Sequence, residues 1–134
     1  MLEDLGLEVA LRQLTDDFED RHSVRTRFSV RGVPAGIPSD TALSLYRIAQ
    51  EALTNVAKHA AADSVDITLA GEPDSLTLFV RDSGQGFNPD AVNECAGLGL
   101  ISMRQRAELI GGTLEVQSGL GQGTQIVVCT PLGR

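Results

Sequence analysis

The chain has 134 residues, the length of one domain and enough to bury roughly two thirds of its unfolded surface. Hydrophobic residues make up 42% and charged residues 22%, as in an ordinary soluble globular protein, while a net charge of −7 argues against a surface that binds a nucleic-acid backbone. The two cysteines, Cys95 and Cys129, lack the spacing of a zinc site and predict reduced thiols in the cytoplasm, and no apolar run is long enough to span a membrane.

Apolar periodicity and turn residues divide the chain into three helices and five strands. The predicted order is a helix at about 3–21, a strand at 24–30, a helix at 39–60, strands at 65–69 and 76–80, a helix at 98–110, and strands at 113–117 and 122–130. Three helices are too few to cover both faces of a sheet, and consecutive strands without a crossover must be largely antiparallel. The sequence therefore predicts a two-layer α/β sandwich, with a mixed, largely antiparallel sheet of about five strands packed against about three helices.

The helix at 39–60 carries an apolar stripe at steps of three and four residues, and it opens with Ser39 as the predicted N-cap. Glu51, Asn55 and Lys58 share a different face at about 100° per residue. An acid, an amide and an ammonium group one turn apart suit a divalent cation and a neighbouring anion. The alternative is a solvated helix edge on which Glu51 pairs with Lys58.

Asp82 follows the apolar residues of the strand at 76–80 in the same phase, so alternation places its side chain on the core side. An unpaired carboxylate there costs roughly several kcal/mol, so it needs a hydrogen-bond donor. One candidate is structural: backbone N–H groups of the following turn, with help from Ser83. The other is the amino group of a ligand, because Gly84 and Gly86 leave room for a flat ring to approach.

Two further glycine-bearing segments precede the last helix and the last strand. GLGL at 97–100 runs directly into a helix, whose free N–H groups and dipole favour a phosphate, although a glycine hinge before an ordinary helix has the same pattern. GQGT at 121–124 enters the last strand, where Thr124 faces inward either as a polar strand start or as a hydroxyl for a ligand. The GLGL segment matches neither a P-loop nor the dinucleotide fingerprint.

The ordered motifs ExxxN, DxGxG, GxG at a helix start and GxGT together resemble the GHKL ATPase superfamily of histidine kinases, gyrase, mismatch-repair ATPases and large heat-shock chaperones. The strings LYRIAQEALTNVAKHA, VRDSGQGF, GLGLISMRQRAELIGGTLEV and GQGTQIVVCTPL are similar to the catalytic ATP-binding (HATPase_c) domain of sensor histidine kinases of the nitrate/nitrite-sensor branch. The resemblance covers nearly the whole chain. It implies that residues 1–22 form a linker from the phosphoacceptor domain and that residues 23–134 form the catalytic ATP-binding domain.

The resemblance implies a role for each motif. Asn55 would coordinate Mg²⁺, with Glu51 acting on the metal or on its water, and these two residues are the implied catalytic and metal-binding pair. Asp82 would accept a hydrogen bond from the adenine amine, and residues 87–96 would form a short lid. The residues implied in ATP binding are Asn55, Lys58, His59, Asp82, Gly84, Gly86, Gly97, Leu98, Gly99, Leu100 and Thr124.

By the same resemblance, the domain would bind Mg-ATP and donate its γ-phosphate to a histidine on a separate dimerisation and phosphoacceptor domain, which feeds a response regulator. His22 has no acid after it and His59 belongs to the ATP site, so neither fits the acceptor motif. Arg104 and Arg106 are either surface charges or contacts to a phosphate or a partner. The resemblance implies a cytoplasmic domain, monomeric by itself, without nucleic-acid or direct membrane contact. The alternatives are a serine kinase of the type that inhibits sigma factors and a degenerate nucleotide-sensing module.

Overall fold

The computed structural model describes residues 6–34, 36–60, 62–84 and 99–132. Within these ranges the helices are α1 (Gly6–His22), α2 (Ser39–Asn55) and α3 (Leu100–Leu109), and α2 runs on into a π-helical turn at Val56–Ala60. The strands are β1 (Arg25–Arg31), β2 (Ser64–Glu72), β3 (Ser75–Asp82), β4 (Thr113–Ser118) and β5 (Thr124–Pro131). All eight predicted elements are present, with their ends shifted by a few residues at most.

The strands form a five-stranded sheet in the order β1-β2-β3-β5-β4. β1 and β2 pair in parallel because α2 carries the chain back between them, and the other neighbouring strands pair antiparallel. The predicted mixed, largely antiparallel sandwich is confirmed. Since β5 lies between β3 and β4, the end of β3 meets the start of β5, and Asp82 pairs in register with Thr124.

The hydrophobic core lies between the sheet and the helices. Alternate residues of the central strands enter it, and α2 contributes the stripe that its periodicity predicts, with α1 and α3 packed beside it. Each fully buried aliphatic side chain stabilises the fold by about 1.5–3 kcal/mol relative to exposure, so this packing fixes the rotation of α2 about its axis. The core residues of α2, β2 and β3 are Ala42, Leu45, Ile48, Ala49, Ala52, Leu53, Val65, Ile67, Leu69, Leu76, Leu78 and Val80.

Helix α1 belongs to the same core, because Leu7, Leu11 and Phe18 are buried in it. His22 at the end of α1 is exposed, and its ring lies 4.6 Å from that of Phe18. The interpretation of residues 1–22 as a linker from a preceding domain stays a prediction. None of the helices in the described ranges combines the length and the apolar character that crossing a membrane requires.

The two ends of α2 differ from the prediction. Pro38 is the residue before the first helical turn and no side chain caps it, while Ser39 is already helical, so the predicted Ser39 cap is wrong. The Ala42 N–H donates to the carbonyl of Pro38 at 3.0 Å, which closes the first turn without a side-chain acceptor. At the other end the α-helix stops at Asn55 and the following five residues take the wider π-helical turn.

Candidate functional site

Asp82 ends β3 with a partly buried side chain that accepts hydrogen bonds from two backbone groups. The Gly84 N–H donates to Oδ1 at 2.8 Å, and the Thr124 N–H also donates to the carboxylate. Burial raises the pKa of Asp82 above its ordinary value, and the bonds from Gly84 and Thr124 partly offset that rise. A carboxylate has about four acceptor positions, so these two bonds leave it able to accept from a ligand as well. The structural and the ligand interpretations of Asp82 are therefore compatible.

Ser83 does not take the role expected for it beside Asp82. Its hydroxyl oxygen accepts the backbone N–H groups of Asp63 and Ser64 at 3.2 and 3.1 Å, and its own N–H donates to the Ser64 carbonyl at 3.1 Å. Ser83 thus ties the end of β3 to the start of β2. This anchoring holds the strand end that carries Asp82.

An open cleft of about 400 Å³ lies between the ends of β3, β4 and β5, and Asp82, Ser118 and Thr124 line it together. Gly123 also lines it with a φ of +77°, and a methyl group added there would collide with the Asp82 carbonyl oxygen. Only glycine allows both this left-handed conformation and this close approach of β5 to β3. The predicted inward position of Thr124 thus places its hydroxyl in the same cleft as the Asp82 carboxylate.

The second group of predicted residues meets where α2 passes the start of α3. Gly99 precedes α3 in the left-handed conformation, with a φ of +69°, and a methyl group added there would lie 2.7 Å from Glu51 Oε2. The carboxylate of Glu51 therefore lies close to the N-terminus of α3, where the helix dipole favours a negative charge. The fold thus brings the ExxxN helix into contact with the glycine segment, although 48 positions separate Glu51 from Gly99 in the sequence.

Asn55 and Lys58 lie at the transition from α2 to the π-helical turn. Asn55 is half-buried at the last α-helical position, one turn after Glu51, whereas Lys58 is exposed in the wider turn. Among the described side chains no ion pair joins Glu51 to Lys58, so the solvated-edge alternative lacks its proposed pair. The described residues hold no group of three His, Cys, Asp or Glu side chains that would by itself bind a metal. A cation here would need oxygens from a ligand in addition to those of Glu51 and Asn55.

Several predicted residues fall outside the part of the chain that the structure describes. These are Gly86, Gly97, Leu98, the proposed lid at 87–96 and the side chain of His59. Leu100 is described, and its side chain is only 4% exposed and packs in the core. A contact from Leu100 to a ligand would therefore have to use its backbone.

A second and larger cleft, of about 570 Å³, has Glu51 in its wall. It lies between α1, α2 and α3, with Tyr46, Arg47 and Arg106 in its wall. Sequence reasoning did not single out Arg47, whose guanidinium donates to the Gln50 side chain at 3.0 Å. The only available signal was its position one turn before Glu51 on the same helix.

Ser118 is a second residue that the sequence analysis missed. It ends β4 opposite Thr124, and its hydroxyl contacts both the Gly123 carbonyl and the Thr124 hydroxyl, at 3.0 and 2.9 Å. A serine at a strand end beside a turn is common, so the sequence alone carries no signal for this pairing.

The fold is that of an ATPase domain of a known family. A family model described as "Histidine kinase-, DNA gyrase B-, and HSP90-like ATPase" matches residues 40–134, and the chain belongs to this family. This confirms the superfamily that the ordered motifs predicted.

Individual relatives are sensor histidine kinases. The chain is 42% identical over 120 residues to sensor histidine kinase LnrJ of Bacillus subtilis, covering 90% of this chain and 29% of LnrJ. It is 39% identical over 137 residues to sensor histidine kinase LiaS of the same organism, covering 98% of this chain and 36% of LiaS. The chain thus spans about a third of the length of these relatives.

The fold also matches a solved histidine kinase domain, that of the Erythrobacter litoralis EL346 blue-light activated histidine kinase. The TM-score is 0.73 at 27% identity, over 94% of this chain and 61% of that one. The finer assignment to the nitrate/nitrite-sensor branch stays a prediction.

Proposed function

We propose that the chain is the catalytic domain of a sensor histidine kinase and that one ATP molecule would contact both motif groups. The adenine amine would donate to the Asp82 carboxylate, and Thr124 would support the same ring. The observation that carries this proposal is Asp82 itself, a partly buried carboxylate with spare acceptor capacity in an open cleft. Gly84 and Gly86 would shape the adenine edge.

The phosphates would lie toward the start of α3, near Gly97, Leu98 and Gly99. The Glu51 carboxylate already lies close to that helix start and would repel a bare phosphate. A divalent cation held by Glu51 and Asn55 would remove the conflict, because their oxygens are ligands of the kind that Mg²⁺ accepts alongside phosphate. When bound, Mg²⁺ would neutralise charge on the phosphate oxygens. Lys58 and His59 would add positive charge or hydrogen bonds on the same side.

The reaction proposed is transfer of the γ-phosphoryl group from ATP to an imidazole nitrogen, with ADP as the leaving group. Such transfers depend mainly on positioning and electrostatic stabilisation, which fits a site built from loops, helix ends and one acid–amide pair. The acceptor histidine would lie on a separate dimerisation and phosphoacceptor domain, and the phosphoryl group would pass on to a response regulator. Glu51 would either activate a water or orient the cation. The domain would act in the cytoplasm, as a monomer when isolated.

The larger cleft beside Glu51 is the approach that we propose for the acceptor domain. Its wall includes Glu51, and the lining holds three arginines, Arg21, Arg47 and Arg106, against two acids, Asp17 and Glu51, on a chain of net charge −7. An acceptor helix with acidic side chains near its histidine would complement that wall. A serine kinase would use the same nucleotide site, but the two relatives described above are sensor histidine kinases.

The experiment is a transfer assay with γ-labelled ATP and Mg²⁺. The chain would be incubated separately with a histidine-bearing acceptor domain from a sensor histidine kinase and with a serine-bearing antagonist protein, and the label would be tested for acid lability. We expect acid-labile label on the acceptor domain and none when its histidine is replaced by glutamine. Label on serine alone, stable to acid, would reject the histidine kinase assignment.

A further inference from the structure

The Ser118 hydroxyl makes two hydrogen-bond contacts at the wall of the smaller cleft. Its Oγ lies 3.0 Å from the Gly123 carbonyl oxygen and 2.9 Å from Thr124 Oγ1. A carbonyl oxygen only accepts hydrogen bonds, so the Ser118 hydroxyl is the donor to Gly123. A hydroxyl has a single proton, and once Ser118 has donated it to Gly123, the Thr124 hydroxyl must be the donor in the contact between the two side chains.

The direction of that second bond decides what Thr124 offers to a ligand. With its proton directed at Ser118, Thr124 Oγ1 has only lone pairs left for the cleft. Asp82 pairs in register with Thr124 and is also an acceptor. The wall therefore presents two neighbouring acceptors, which match the two N–H groups of an exocyclic amine and repel the lone pairs of a ring carbonyl.

We propose that Ser118 is a positioning residue that makes Thr124 an acceptor and thereby strengthens the selection of amino purines over carbonyl purines. This inference rests on the proposed ATP site. Without the Ser118 hydroxyl, the Thr124 proton loses its partner and the hydroxyl is able to rotate and donate to a carbonyl oxygen. Ser118 would act on selectivity through Thr124 without touching the nucleotide itself.

The test compares ATP with inosine triphosphate, which has the same sugar and phosphates but a carbonyl in place of the amine. Dissociation constants of both nucleotides are measured by calorimetry on the full chain, and the readout is the ratio of the inosine triphosphate constant to the ATP constant. In Ser118→Ala we expect this ratio to fall about three- to tenfold, the size of one net hydrogen bond. If Ser118 had a purely structural role, its loss would weaken the binding of both nucleotides by the same factor and leave the ratio unchanged.

Two further variants separate the hydroxyl from the bulk of the side chain. Ser118→Thr keeps the hydroxyl and should keep the wild-type ratio. Thr113→Val removes an exposed hydroxyl from the first position of the same strand, outside the cleft, and should also leave the ratio unchanged. A ratio within twofold of wild type in Ser118→Ala, or an equal change in Thr113→Val, would overturn the inference.

Thr124 provides a second route to the same answer if Ser118→Ala does not fold. Thr124→Val removes the proposed acceptor, so the ratio should fall there as well, whereas Thr124→Ser should retain it. In the Thr124→Val background, Ser118→Ala should change the ratio no further, since its effect acts through that hydroxyl. An unchanged ratio in Thr124→Val would refute the inference, while a wild-type chain that does not bind ATP would instead refute the proposed function.

Discussion

Asp82→Asn is the substitution that most directly tests the proposed adenine contact. The Gly84 N–H donates to Oδ1 at 2.8 Å, so the amide oxygen of an asparagine would take the Oδ1 position to keep that bond. The amide NH₂ group would then replace Oδ2. A donor would stand where the adenine amine, itself a donor, needs an acceptor.

The expected loss of affinity follows from these two changes. A hydrogen bond to a charged group contributes about 1.5–3 kcal/mol, which corresponds to a factor of about 10 to 150 in the dissociation constant. The asparagine NH₂ group and the adenine amine, two donors facing each other, add a desolvation cost of about 1–3 kcal/mol. We therefore expect ATP binding to weaken by at least about 100-fold, without loss of secondary structure.

The assay is calorimetry with ATP and Mg²⁺, with circular dichroism as the check of folding. Asp74→Asn makes the same change of charge at an exposed position in the turn between β2 and β3 and should bind ATP as the wild type does. GTP should compete poorly with ATP on the wild-type chain, because guanine has a carbonyl where Asp82 needs a donor. Retention of ATP affinity within threefold by a folded Asp82→Asn chain would refute the adenine assignment.

The same substitution tests the raised pKa of Asp82. An acid whose pKa is raised by folding contributes stability below its unfolded pKa, and that contribution is lost as the pH rises through the folded pKa. Burial raises the pKa of Asp82, so its ionisation opposes folding at neutral pH. Relative to wild type, the unfolding free energy of Asp82→Asn in urea should therefore increase from about pH 3 to pH 7. A difference that is flat over this window would contradict the desolvated position of the carboxylate.

Three further predictions concern the phosphate end of the site. Asn55→Ala should raise the Mg²⁺ concentration needed for half-maximal ATP binding by about tenfold or more, because it removes a proposed ligand oxygen. The measurement is a titration of the cation at fixed nucleotide. Gly99→Ala should lower the unfolding free energy by more than the roughly 1–2 kcal/mol of left-handed backbone strain, since the new methyl group also meets the Glu51 carboxylate. Arg47→Glu combined with Arg106→Glu should raise the KM for the acceptor domain about tenfold or more and leave the dissociation constant of ATP unchanged.

Two of these predictions have a matched control variant in the chain. Gly121 has a φ of +77° with nothing near its missing side chain, so Gly121→Ala measures the backbone strain alone. Adding Glu51→Ala to Gly99→Ala should restore the part of the unfolding free energy that is lost through the clash with the Glu51 carboxylate. Equal losses of unfolding free energy in Gly99→Ala and Gly121→Ala would disprove that contact. Arg31→Glu, at the exposed end of β1, should not alter the KM for the acceptor domain. Unchanged metal dependence in Asn55→Ala would remove that residue from the proposed site.

The sequence by itself determined the secondary structure and the phase of its key side chains. The alternation of Leu76, Leu78 and Val80 placed Asp82 on the core side, and the same period placed Thr124 inward. These assignments succeed because the periods of strands and helices are local properties of the chain. The predictions for the two ends of α2 were wrong, because helix ends depend on packing as well as on local preference. Pro38 stands at the cap position predicted for Ser39, and the helix widens after Asn55.

Only the tertiary structure decided which of these residues meet. The insertion of β5 between β3 and β4 puts the Thr124 N–H on the Asp82 carboxylate and the Ser118 hydroxyl on Thr124. The packing of α3 beside α2 puts Gly99 against Glu51. Strand order and helix packing join segments that are far apart in the chain, and they are set by burial of the whole core, which no local pattern encodes.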